Sequence, residues 1–188
     1  MNTTLEKVAQ LMIVVCGFFA TVLVAIAMEA TGMVSPARTA VVLALALALA
    51  VRYWWVILLL AWPTRWPRMV LLLLAWTAVA LIAATAVDPH RWALALAALS
   101  VIGCATEVYN GVTRQWLVGS EAMTRSLRRD HVIGAVSAGV AAIIFAAAGA
   151  LIPAELDVVV AVLVVVDWAR LVAMIHRHQH FLDLERTT

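Results

Sequence analysis

The sequence predicts an all-α fold: one polytopic membrane domain over residues 1–188, a six-transmembrane-helix bundle with both termini cytoplasmic. Three observations predict it. Hydrophobic residues make up 65% of the chain and charged residues 13%, against about 45–50% and about 25% in soluble domains. The apolar residues gather into six runs, each close to the roughly 20 residues that a helix needs to cross a bilayer. Lys and Arg collect on alternate connections between the runs, the asymmetry of the positive-inside rule. The net charge of +2 gives no basis for a nucleic-acid partner. The lipid bilayer is the expected surrounding.

The first run, 8–30, is longer than the ~7–15 residue core of a signal peptide, and Glu29 stands where small cleavage-site residues belong, so it reads as a retained helix. Gly32 to Arg38, with Pro36 inside it, breaks the chain before the second run, 39–62. PTRWPR (63–68) carries two prolines and precedes the third run, 69–87. The charged turn DPHR (88–91) leads to the fourth, 92–112. After a basic loop at 113–130 come the fifth run, 132–152, and the sixth, 156–175, with Pro153 between them and a short tail at 176–188.

Six spans place Lys7, Arg65, Arg68, Arg114, Arg125, Arg128, Arg129, Arg177 and Arg186 on one side, and only Arg38 and Arg91 on the other. That partition puts both termini in the cytoplasm. The alanine- and valine-rich composition suits a bacterial inner (plasma) membrane. In the basic loop, Trp116, Met123 and Leu127 share one helical face while Arg125, Arg128 and Arg129 point elsewhere, a pattern suited to anionic lipid. A solvated loop is the alternative reading.

Four ionisable residues fall inside spans: Arg52 in the second, Glu107 in the fourth, Asp167 and Arg170 in the sixth. All three spans run in the same direction, and at ~1.5 Å per residue the four groups lie within roughly 6 Å of one depth. Two cations and two anions at one level make a formally neutral layer. Neighbours four residues apart support it. Ala40, Ala44 and Ala48 lead to Arg52, and Ser100, Gly103, Glu107 and Asn110 form a small, polar stripe. Gly134, Ala138, Ala142, Ala146 and Ala150 give the fifth span a ridge for close packing. A charge at the bilayer centre costs at least about 2.5–3.5 kcal/mol, so the layer is held either for ion pairing that fixes assembly or for function. The arginines are fixed charges. Glu107 and Asp167 are the groups able to exchange protons.

Weaker constellations accompany the layer. If the sixth helix continues through HRHQHFLD, His176, His180 and Asp183 share a face with donors suited to Zn²⁺ or a similar divalent ion. No other cofactor is expected. Trp54 and Trp55 stand beside Arg52, as stacking partners for its guanidinium or, more plainly, as packing and lipid contacts, and Trp62, Trp66, Trp92 and Trp116 sit where aromatic belts form. The cysteines read VVCGFF (Cys16) and IGCATE (Cys104), in the first and fourth spans. In those positions and in helix count the chain resembles small six-span thiol–disulfide carriers related to cytochrome c biogenesis proteins, which implies redox transfer. That family flanks its cysteines with prolines, and this sequence does not. Phosphate loops, zinc-protease motifs, nucleophile elbows and dinucleotide fingerprints are absent from the sequence, so an enzyme is the less expected class. An inverted repeat fails too: the second run has Arg52 while the fifth has no charge.

The leading expectation is a small transport or channel-type protein moving protons, ions or small polar solutes. The runner-up is a non-catalytic membrane subunit or scaffold, and a thiol–disulfide carrier is more distant. A homo-oligomer or a larger membrane complex is expected in either of the first two cases.

Overall fold

The computed structural model describes residues 3–54, 66–113, 121–152 and 154–187, with the side chains of 3–7, 66, 121–123 and 180–187 outside the description. Among the described residues there are six α-helices: α1 (Thr3–Ala30), α2 (Pro36–Trp54), α3 (Trp66–Thr85), α4 (Pro89–Thr113), α5 (Glu121–Leu151) and α6 (Leu156–Thr187). All six are long and apolar enough to cross a membrane.

Local chemistry fixes several ends. α1 stops in a glycine-capped turn: Gly32 takes φ +69°, and its N–H donates to Glu29 O at 2.8 Å while that of Met33 donates to Met28 O at 3.1 Å. A left-handed residue costs glycine nothing and satisfies carbonyls the helix leaves open. α2 and α4 each open with proline at the first helical position, where no intrahelical N–H is lost. Before α4, Asp88 Oδ1 accepts from the backbone N–H of His90 at 2.9 Å and of Arg91 at 3.2 Å.

The helices close into a ring in the order α1, α2, α6, α5, α4, α3, with α2 also touching α3 across it. One end of the bundle carries the short turns after α1, α3 and α5. Near it Ile82, Trp92, Leu96, Leu156 and Val160 are buried in a core drawn from all six helices. A second core, with Val14, Ala46, Leu72, Trp76 and Val79, joins α1, α2 and α3. Large apolar side chains also cover the outside of every helix, among them Leu23, Leu47, Leu81, Leu94, Ile143 and Val165. A surface this apolar exceeds what a soluble monomer presents and suits hydrocarbon.

Two boundaries differ from the sequence reading. Residues 121–130, assigned to the basic loop, are the first turns of α5, and residues 176–187, assigned to the tail, extend α6. Apolar runs end at charged clusters, but a helix need not. Here Asp130 is partnered by Arg177 and His178 of α6, and the helix runs on through the exposed arginines before it. Leu127, in the expected loop, is buried, while Arg125, Arg128 and Arg129 are exposed. Trp92, assigned to an interfacial belt, is fully buried instead. Trp55, Trp62 and Trp116 lie outside the described residues.

Candidate functional site

The four ionisable residues of the expected layer meet. Arg52 Nη2 donates to Asp167 Oδ1 at 2.9 Å, and Arg170 Nη2 donates to Glu107 Oε1 at 3.3 Å. The pairs are cross-linked: Arg52 Nη1 lies 3.9 Å from Glu107 Oε1, and Arg170 Nη1 lies 4.0 Å from Asp167 Oδ1. Glu107 Oε1 therefore sits between two guanidinium groups. Arg52 comes from the last turn of α2 and Glu107 from the second half of α4. Asp167 and Arg170 stand one turn apart on α6, which lets both face the same space.

α5 completes the layer with two residues that the sequence reading missed. His131 Nδ1 is 2.7 Å from Glu107 Oε2, and Ser137 Oγ accepts a hydrogen bond from Arg170 Nη1 at 2.7 Å. Between them lies Gly134, where a Cβ would stand 2.7 Å from both Arg170 Nη2 and Glu107 Cδ. The glycine leaves room for the ion pair. Further along the expected ridge Ala138 faces Gly103 of α4, but Ala146 and Ala150 are exposed, and the close contact there is made by Gly149, where a side chain would collide with Ala93. Small residues bring α4 and α5 close enough for Glu107 and His131 to meet.

The layer is graded in exposure. The side chains of Glu107 and His131 are 12% and 11% exposed, against 27% for Arg52 and 37% for Asp167. Its closed side is thus at α4 and α5, and its open edge at α2 and α6.

A second polar group lies toward the end opposite the short turns. Asp130 Oδ1 accepts from Arg177 Nη2 at 2.6 Å, and Asp130 Oδ2 is 3.2 Å from Nε2 of the fully buried His178. Asp130 meets Arg177 as Ser137 meets Arg170, the register of antiparallel helices. Arg68, expected in a loop, is buried on α3 near Tyr53 and Tyr109. The fifth element therefore does carry ionisable groups, contrary to its sequence boundary at 132. A helical face ran unbroken through the charges, with Leu127, His131, Gly134 and Ala138 spaced by three or four, and was the available signal.

Other expected residues are placed differently. The Ser100 hydroxyl donates back to Leu96 O at 3.0 Å on its own helix and does not support the layer. Asn110 is half-buried on α4. Trp54 is more than half exposed on α2. His176 is exposed, and the side chains of His180 and Asp183 lie outside those described. Among the described residues no group of three His, Cys, Asp or Glu is placed to hold a metal ion. Cys16 and Cys104 are free thiols, exposed and half-buried respectively, on helices that are not neighbours in the ring.

Fold and site together define a class: an all-helical protein with six helices able to span a membrane and an ionised layer packed between four of them. The chain matches no family model, no curated protein and no solved structure.

Proposed function

We propose that this chain is a small transport or channel-type protein of a bacterial inner membrane, in which the layer of Arg52, Glu107, Asp167 and Arg170, with His131, exchanges protons as ions or small polar solutes pass. The observation that carries this reading is the position of Glu107, held between two permanent cations and one imidazole. The arginines keep their charge at any physiological pH, whereas imidazole changes charge between about pH 5 and 8. The layer thus joins a fixed cationic frame to an imidazole, which a purely structural ion pair does not need. Both termini face the cytoplasm in this reading, and Arg125, Arg128 and Arg129, exposed on the first turns of α5, meet anionic lipid. A second copy of the chain covers the open edge at Asp167 or builds the path with it.

Purified protein in liposomes carrying a pH gradient and an internal pH dye tests this. The wild type is expected to dissipate the gradient, and Glu107→Gln and Asp167→Asn to approach the rate of empty liposomes. Equal rates for wild type and empty liposomes, over a panel of monovalent ions and polar solutes, would reject transport.

One observation favours a second reading, a scaffold subunit: each of the four formal charges in the layer has an opposite charge within 4.0 Å. In that case Asp167→Asn weakens assembly, and adding Arg52→Ala partly restores it by removing the cation that has lost its 2.9 Å partner.

A further inference from the structure

We infer that the charged layer is open to water from one end of the bundle only, the end that carries both chain termini, and that the apolar core at the short-turn end is a seal. A solute that reaches the layer therefore crosses by a change of conformation and not through a standing pore. The inference rests on reading the layer as a transport site and names its closed gate.

The first observation is where Asp167 points. Leu156, Val160, Val164, Asp167, Leu171 and His178 follow one another along α6 at spacings of four, three and seven, so they share a face. Its other five members are at most 8% exposed. The outer face of α6 is a different one, where Val158, Val162, Val165 and Val172 are each more than half exposed. Asp167 stands on the buried face, yet its side chain is 37% exposed, and that of Arg52, its partner on α2, is 27% exposed. Both therefore meet a gap inside the bundle, not the hydrocarbon around it. Hydration from that gap offsets the cost of holding charge at this depth.

The second observation is the contrast between the two ways out. Toward the short turns, the face continues through Val164, Val160 and Leu156, joined by Ile82 and Ala83 of α3, Leu96 of α4, and Phe145 and Ala148 of α5. From Val164 to Leu156 the helix covers about 12 Å. An apolar constriction of this kind excludes water by dewetting.

Toward the termini the groups that follow are polar. Tyr53 comes after Arg52 on α2 and Tyr109 after Glu107 on α4, and the buried Arg68 of α3 lies near both tyrosines. On α5 the chain leads back from Ser137 to His131 and Asp130, both buried. Asp130 accepts from Arg177 Nη2 at 2.6 Å, and the Arg177 side chain is 49% exposed, so the series reaches the surface. Leu127 and Leu171 are buried beside these groups, but among the described residues no core drawn from all six helices recurs at this end. Water settles where polar groups can hold it, and here they lead from Glu107 outward.

The test places single cysteines in a protein whose Cys16 and Cys104 are replaced by alanine. The protein sits in sealed vesicles, with its orientation read from protease access to a tag at the C-terminus. A membrane-impermeant thiol reagent is added to each face in turn. Ser137→Cys puts a thiol in the layer and should be labelled from the face of the termini and not from the other. Val160→Cys, in the seal, should stay unlabelled from both faces until the protein is denatured. Adding Val160→Ser and Val164→Ser to Ser137→Cys should let the layer be labelled from both faces. Asp167→Cys gives a second reading at the layer if Ser137→Cys does not fold. Labelling of the layer from the short-turn face with the seal intact, or of Val160→Cys from either face, overturns the seal and leaves transport standing as an open pore. A folded seal variant still labelled from one face only also overturns it. No labelling of the layer from either face, in protein folded by size exclusion, overturns the inference together with the transport reading, so the two failures are told apart.

Discussion

Two regions of the bundle bury arginine, and they do it differently. Near the short-turn end Arg38 of α2 donates through Nε to Asp157 Oδ1 at 2.9 Å and Oδ2 at 3.2 Å, and through Nη1 to Ala86 O at 2.6 Å. Its guanidinium also lies 4.8 Å from the centre of the Trp92 ring. One cation meets one anion, one carbonyl and one aromatic face. In the charged layer two cations share two carboxylates at distances from 2.9 to 4.0 Å, a cross-linked network, and His131 stands 2.7 Å from one of those carboxylates. The first arrangement fastens α2 to α6 and to the turn before α4. The second joins three helices through shared carboxylates and adds an imidazole from a fourth. Burial of an arginine is therefore not by itself a sign of function; the sharing of partners is what separates the two.

The largest expected effect comes from breaking the layer. Arg170→Ala takes from Glu107, whose side chain is 12% exposed, the nearer of its two guanidinium partners, and losing one partner of a buried pair costs up to about 3–5 kcal/mol. Adding Glu107→Gln should recover more than half of that. Denaturant unfolding in detergent checks both, and an unchanged midpoint for the single variant would contradict the pairing. The short-turn end should be less sensitive. The Asp157 side chain is 46% exposed and reaches solvent or headgroups, so Arg38→Ala should cost about 1–2 kcal/mol, from an exposed pair and a cation–π contact.

The smallest effect is at Asp88. Its carboxyl is held below the usual range chiefly by the backbone N–H of Arg91, with that of His90 also contributing. A depressed carboxyl stabilises the folded state above its unfolded pKa and loses that contribution as pH falls through the folded value. Asp88→Asn should therefore match wild type at pH 7. Wild type should lose a little helical stability below about pH 4, and the variant should not. Circular dichroism against pH shows the difference.

Much of this was legible in the sequence because membrane burial writes itself as apolar length. The six helices follow from runs near 20 residues, and the layer follows from four charges that could not be placed in loops. The register of Arg52, Glu107, Asp167 and Arg170 could be counted because all three helices run the same way. His131 and Asp130 were hidden by the same logic: a reading that ends a span at its first charges removes α5's own polar groups from the bundle. Ser137 was hidden because its partner is on another helix, and pairing across helices has no local periodicity. Ser100 misled for the opposite reason, since a hydroxyl on a packing stripe can bond to its own backbone. Trp92 looked interfacial by position, but its ring is the face on which Arg38 rests.

The central claim is that the charged layer touches water, and access at position 167 tests it most directly. Cys16 and Cys104 are replaced by alanine and Asp167 by cysteine. The folded protein in sealed vesicles then meets a membrane-impermeant thiol reagent on each side in turn. Labelling at 167 from either side is the predicted result. No labelling from either side, with full labelling after denaturation, would show a sealed ion-pair lock and contradict the account.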